Sequence, residues 1–306
     1  MLRFIIRRLL ITIPTILVVI TLTWGLIRLA PGNFYSGEKK IPKAVEKNIR
    51  EKYGLNKPWY VQYGKTMGHI VRLDFGDSLK YQGQSVNTII ARSLPVSATV
   101  GILAYLLALI VGIFVGSIAA LKQNTKWDYA SMALAMIGIS VPNFVLGPIL
   151  VLIFSLTLYW LPPSRWYGFP SKGVILPVLT LSAIYMAYIA RLTRAGMLEV
   201  LRSDYIRTAR AKGLRERDVV IRHALRGGLM PVVSFTGPAL AFLLTGTVVV
   251  ERIFALPGLG NYFIQASLNR DEPLIIGIVA FIAMTLLIMN LLVDIAYAFL
   301  DPRIRY

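Results

Sequence analysis

The sequence contains no cysteine. Disulfides, thiolate nucleophiles and cysteine-ligated metal sites are therefore excluded. Histidine is nearly as scarce, with only His69 and His223, far apart in the chain. A single histidine makes a poor metal site, so His223 is expected to serve within a helix and His69 at the surface. The motifs that carry chemistry are also missing: there is no HExxH, no GxSxG and no phosphate-binding loop. Gly64-Lys65-Thr66 imitates the tail of such a loop, but Trp59 stands where its first glycine belongs. Acid is in short supply, with 15 Asp and Glu against 33 Lys and Arg. No apolar run holds two acids placed to work together, and a lone Asp294 cannot form a two-carboxylate site. A chain of buried ionisable residues of the kind used by proton-coupled carriers is absent as well. These gaps argue against an enzyme and against a transporter with its own energy source.

What the chain has in abundance is apolar sequence. Of 306 residues, 56% are hydrophobic, and the mean hydropathy is +0.63. That composition indicates a multi-spanning membrane protein. The net charge of +18 does not indicate nucleic acid, because the basic residues lie in the gaps between apolar runs, as in loops facing anionic lipid. Six spans are expected, near 9–30, 96–121, 129–160, 173–189, 231–250 and 274–299. Arg3, Arg7 and Arg8 precede the first, which is too long for a signal-peptide core and is read as an uncleaved helix with a cytoplasmic N-terminus. Residues 31–95 are polar and read as a small extracytoplasmic subdomain, with Val45, Ile49 and Tyr53 on one helical face and a second helix from Pro58 to about 73. The remainder, 96–306, is the membrane core, including a cytoplasmic loop at 191–230. Gly112 and Gly116 have the spacing that lets helices approach closely. Pro142 and Gly147-Pro148 either kink the third span or break it into a span and a re-entrant piece. Ser234, Thr236, Thr245 and Thr247 make the fifth span the richest in small hydroxylated residues, which suits a pathway helix or one packed through small residues. Loops are expected outside the membrane at 161–172 and 251–273, and both chain ends inside.

The 191–226 stretch carries ten Lys and Arg against four acids. Within it, Leu198, Leu201, Tyr205 and Ala209 recur at helical spacing, while Arg202, Arg207 and Arg210 lie on other faces. Gly213 suits a left-handed helix stop, with Leu214 folding back as its apolar contact. Glu216 and Asp218 then open a second helix, where acids are favoured. The pattern is helix, glycine turn, helix, placed outside the membrane. It fits docking to another protein, or a basic surface held against anionic headgroups.

These residues carry a resemblance. YIRTARAKG at 205–213, followed by RHALRGGLMPVV, resembles the cytoplasmic signature loop of permease subunits of bacterial ATP-binding-cassette importers. That signature is an acid and two alanines, then three residues to a glycine. Ala209 and Gly213 match, whereas Arg207 and Thr208 replace the acid and the first alanine, and the downstream proline is displaced to Pro231. The dipeptide, oligopeptide and nickel branch shares both departures. RRLLITIPT, LDFGDSLKY, ALKQNTKWDY, LPGLGNYFIQASLNRD and DPRIRY extend the likeness along the chain, nearest to the oligopeptide B-type members.

The resemblance implies an all-α type I importer permease fold of six transmembrane helices. It implies a second permease, two cytoplasmic ATPases that hold ATP and magnesium, and an extracytoplasmic peptide-binding protein, with no cofactor on this chain. The implied coupling segment is Ser203, Asp204, Tyr205, Ile206, Arg207, Thr208, Ala209, Arg210, Ala211, Lys212, Gly213 and Leu214. Tyr205 and Ile206 are its expected apolar anchors, and Arg207, Arg210 and Lys212 its steering charges. A self-sufficient carrier and a non-transporting scaffold are the rival readings.

Overall fold

The computed structural model describes residues 2–30, 47, 51, 53–163, 166–244 and 247–300. Val45, Ile49, Thr245 and the 301–306 tail lie outside the described residues, as does the side chain of Asp294. Every extended element among them is a helix. Four helices are long and apolar enough to cross a membrane, and a bent pair makes a fifth span if counted as one. The first helix adds a shorter apolar stretch, Ile13–Leu29. The chain divides into two compact units, one formed by 1–96 with 257–288 and the other by 97–256 with 289–305.

In the first unit, α1 (Leu2–Leu29) contains Pro14. Next comes α2 (Trp59–Val71), entered through Pro58. Ile20 and Trp24 of α1 are buried with Ile70 of α2, and the Trp24 ring meets Tyr63 edge-on at 5.4 Å. His69 is partly exposed, with Nδ1 3.2 Å from the Asp74 carboxylate.

The helix expected from 96 begins earlier: α3 runs Val86–Leu121 with Pro95 inside it. An interior proline costs a helix roughly 3 kcal/mol. Burial of Val86, Ile89 and Ile90 on one face of the segment before it offsets that cost.

The loop expected at 251–273 is also more ordered than its composition suggests. It contains α12 (Leu259–Asn269) and leads to α13 (Glu272–Leu300). Between them Asp271 is fully buried. Its carboxylate accepts the Ser78 hydroxyl, the Leu79 and Lys80 N–H groups at 3.1 Å each, and the Leu274 N–H at 3.3 Å. It thereby caps one helix and staples the 78–80 turn to it.

The second unit is arranged around one helix. The run expected at 129–160 is broken at Pro142 into α4 (Lys126–Ser140) and α5 (Asn143–Val151), the latter continued by a π-helical turn, Leu152–Thr157. The two halves meet at 101°. α6 (Ile175–Leu201) follows, continuing as helix past 189, where the span is expected to end. Its most apolar window is 61% buried, against 31–33% for the other long helices. Beyond the basic loop, the fifth span is α10 (Met230–Leu244) followed by α11 (Val248–Ile253). Glu251, expected in a solvated loop, is instead buried in α11, where its carboxylate accepts the Ser97 hydroxyl at 2.7 Å.

Glycines set the approach to α6. A Cβ on Gly112 would stand 2.8 Å from Ile189, one on Gly116 2.4 Å from the Ala190 carbonyl, and one on Gly138 2.7 Å from the Ala183 carbonyl. The Gly112–Gly116 spacing thus does what it predicts.

Replacing Asp271 by alanine strands buried N–H donors. The expected loss is at least about 2 kcal/mol, since hydrogen bonds to a charged group contribute roughly that much each and stranded donors cost more. Thermal unfolding in detergent should show a clearly lower Tm for D271A, and a smaller drop for S78A, which removes one donor.

Candidate functional site

α6 ends at Leu201, and Arg202 and Ser203 break the helix. The break follows from local hydrogen bonding. Ser203 is extended, and its hydroxyl bonds back to the Val200 carbonyl at 2.6 Å instead of continuing the helix. The helical spacing of Leu198, Leu201, Tyr205 and Ala209 therefore spans two helices, not one. The second, α7 (Asp204–Ala211), buries Ile206 and Ala209, three residues apart on one face.

The stop at Gly213 is as the sequence predicts. Gly213 has φ of +77°. Its N–H reaches the Arg210 carbonyl at 2.9 Å, and the Leu214 N–H reaches Ala209 at 3.4 Å. This is the paired backbone closure of a Schellman cap. The expected apolar half of the cap does not form, because Leu214 is left 42% exposed.

Past the turn lie α8 (Glu216–Asp218), a π-helical turn (Val219–Ala224) and α9 (Leu225–Gly228). Met197, Ile206, Ala209, Val219 and Ala224 form a buried cluster with Ala120 at the end of α3. A Cβ on Gly196 would stand 2.2 Å from the Gly228 carbonyl, so the backbones of α6 and α9 touch. His223 sits in the π turn, its Nδ1 3.2 Å from the Asp218 carbonyl. Among the described residues no group of three or more His, Cys, Asp or Glu is placed to hold a metal.

The element's surface differs from the expected one. Ile206 is fully buried and offers nothing to a partner. Its side chain falls on the face that packs against the cluster, three residues from Ala209. The exposed apolar residues are Tyr205, at 48%, and Leu214. Around them, Asp204, Arg207, Thr208, Arg210, Ala211 and Lys212 are exposed. Arg207 makes a loose 3.5 Å contact with Asp204. Arg210 grips Glu216 across the glycine turn, at 2.6 and 3.1 Å. Those hydrogen bonds hold the Glu216 carboxyl below its ordinary pKa, against a smaller opposing effect of burial.

One feature escapes the sequence reading. Arg194, inside α6, forks onto Asp128 of α4, with both N–O distances 2.7 Å. The Asp128 side chain is 3% exposed and also accepts the Asn124 N–H at 3.0 Å. An acid just inside an apolar helix, with an arginine inside another, is the signal that could have revealed it.

Of the four hydroxylated residues expected in the fifth span, Ser234, Thr236 and Thr247 are described. Ser234 is exposed and bonds back to the Met230 carbonyl at 3.1 Å. Thr236 donates to the Val232 carbonyl at 2.9 Å and accepts the Tyr105 hydroxyl at 2.6 Å. Thr247 occupies the extended residue before α11.

Valine at position 213 must adopt a left-handed backbone that costs an L-residue about 1–2 kcal/mol. In G213V, amide exchange at Gly213 and Leu214 positions should accelerate several-fold while exchange within α6 stays unchanged. A pH dependence is expected in the same turn. Because the folded pKa of Glu216 is depressed, the Arg210–Glu216 pair contributes fully above the ordinary glutamate value of about 4.3 and is lost as pH falls through the lower folded value. Protection factors across 210–216 should drop in that window, and E216Q should abolish the pH dependence.

Comparison with known proteins accounts for the whole chain. Residues 112–306 match the family model described as binding-protein-dependent transport system inner membrane component. Residues 1–102 match the N-terminal model of such membrane components. The oligopeptide transport system permease protein OppB of Escherichia coli K12 is 48% identical over 306 residues, covering all of both chains. The dipeptide transport system permease protein DppB of Bacillus subtilis is 44% identical, covering 100% of this chain and 98% of its own. Among solved structures, a chain of the MetNI methionine ABC transporter aligns with a TM-score of 0.55 at 16% identity, over 70% of this chain and 96% of that one. The fold is that of a type I ABC importer permease. The chain belongs to the family of inner-membrane components of binding-protein-dependent transport systems.

Proposed function

We propose that this chain is one permease subunit of an ATP-driven oligopeptide importer and that α7 with its glycine turn is the element through which ATPase movement enters the membrane. The full-length likeness to an oligopeptide permease carries the substrate class. The chain is not itself catalytic. Its partners are a second permease of the same family, two ATPases that hold ATP and magnesium, and an extracytoplasmic peptide-binding protein. Six spans with both ends cytoplasmic complete the reading, and the positive-inside charge of 191–226 supports that orientation.

Ser203 to Leu214 form the docking segment in this reading. Tyr205 and Leu214 are its apolar anchors, and Arg207 and Lys212 steer the encounter. The ATPases close on ATP, α7 moves with them, and the membrane cavity changes the side to which it opens. Ser234, Thr236, Thr245 and Thr247 are the pathway candidates, and Ser234 is exposed. The dipeptide relative keeps dipeptide uptake as the second reading.

Pull-down from native membranes in mild detergent should recover a second permease and two chains with phosphate-binding loops. Recovery of this chain alone, under conditions that keep other membrane complexes intact, overturns the reading in favour of a carrier or scaffold. Competition of uptake by pentapeptides, but not by dipeptides or nickel salts, is expected of the oligopeptide assignment.

A further inference from the structure

The path from α7 into the membrane has a weak place. Arg202 and Ser203 are not helical, so α7 and α6 are joined by a break that could bend and absorb a displacement. Several contacts oppose such bending. The Gly196–Gly228 backbone contact and the cluster around Ile206 hold the loop helices to the end of α6. A second set reaches further, to the turn between α3 and α4. Arg202 donates to Gln123 in that turn at 3.3 Å. Arg194 forks onto Asp128 in the first turn of α4, and Asp128 in turn accepts the Asn124 N–H. The carboxylate therefore joins three segments: the α3–α4 turn, α4 and α6.

We infer that Asp128 and Arg194 are a positioning pair for coupling, fastening α6, α4 and the α3–α4 turn into one body so that movement imposed on α7 reaches the spanning helices instead of being lost at 202–203. The inference rests on the docking reading above. A fork of two short bonds to a buried carboxylate fixes both distance and orientation, which a single point contact does not. The pair also lies two turns of α6 before the break, where a small rotation of the helix would displace α7 most directly. Asp128 is buried and Arg194 only 28% exposed, so salt screens the pair less than it would an exposed one.

The test uses the whole transporter in proteoliposomes, with the second permease, both ATPases and the binding protein. Two quantities are read: the ATPases co-purifying per permease, and peptide taken up per ATP hydrolysed. D128N keeps the shape and removes the charge. It is expected to keep its ATPases while uptake per ATP falls roughly tenfold, within the usual range of coupling energies. R194K keeps the charge but loses the fork, and should fall in between. An unchanged ratio in both variants overturns the inference. Failure of both variants to assemble, or less complex with an unchanged ratio, also overturns it, since the pair would then serve only to hold the fold. Failure of the docking reading is distinct, because the ATPases would already be missing from the wild-type complex.

Discussion

Lipid chains are as apolar as leucine, so burying apolar side chains does not by itself hold one spanning helix against another. The contact that does so here is backbone against backbone. Gly112 and Gly116 bring α3 onto α6, Gly138 brings α4 onto it, and Gly196 of α6 itself meets the Gly228 carbonyl. In each case the atom that a Cβ would strike is main chain or the root of a branched side chain, neither of which can swing aside. α6 is accordingly the most buried of the long helices. The same helix leads, two residues beyond its end, into α7, the proposed docking element. Tight packing along its length and proximity to that element thus belong to one piece of chain.

Buried acids serve the same end by a different route. Asp128, Glu251 and Asp271 are each nearly or fully buried. A buried carboxylate left uncompensated is strongly destabilising, by several kcal/mol. The three are compensated in different ways. Asp128 has a forked arginine, Asp271 has a hydroxyl and three backbone N–H groups, and Glu251 has the Ser97 hydroxyl among its partners. The contrast with Arg210–Glu216 is instructive. That pair has better than average geometry but stands in water, where side-chain entropy and screening reduce its worth. It shapes the turn, whereas the buried acids fix where segments distant in sequence meet.

The long apolar helices, the glycine turn and the break near Pro142 were legible in the sequence because each has a local cause: an apolar run, a residue free to take positive φ, a missing N–H. The features that were not legible depend on what lies across the interface. Nothing near Pro95 announces that the helix starts at Val86; the cause is burial of Val86, Ile89 and Ile90 against α12 and α13. Glu251 and Asp271 look like loop acids until Ser97 and the 78–80 turn are placed beside them. Arg194 looks like the end of a span because charge normally marks the interface, and nothing near it in the sequence announces its partner Asp128, 66 positions earlier. For the functional element the balance is similar. Spacing gave the helix and its stop, but not which face would be covered.

That last point decides what a partner meets. A helix of eight residues has room for two apolar positions on its covered face, and α7 uses Ile206 and Ala209. Once Ile206 is committed inward, Tyr205 and Arg207 lie on its two flanks, about 100° away; Arg207 is exposed, while Tyr205 is half exposed with its hydroxyl beside Gly227. Beyond the backbone closure at Gly213, Leu214 is left partly exposed. The exposed surface is a tyrosine and a leucine set among cations, a composition suited to a cleft with apolar floor and acidic rim. The buried half of the same helix, through Ile206, is continuous with Met197 and hence with α6. Adjacent residues of one short helix therefore divide the work. In the proposed docking, those facing out would set which surface is recognised, and those facing in would set how firmly that surface is tied to the helices in the membrane.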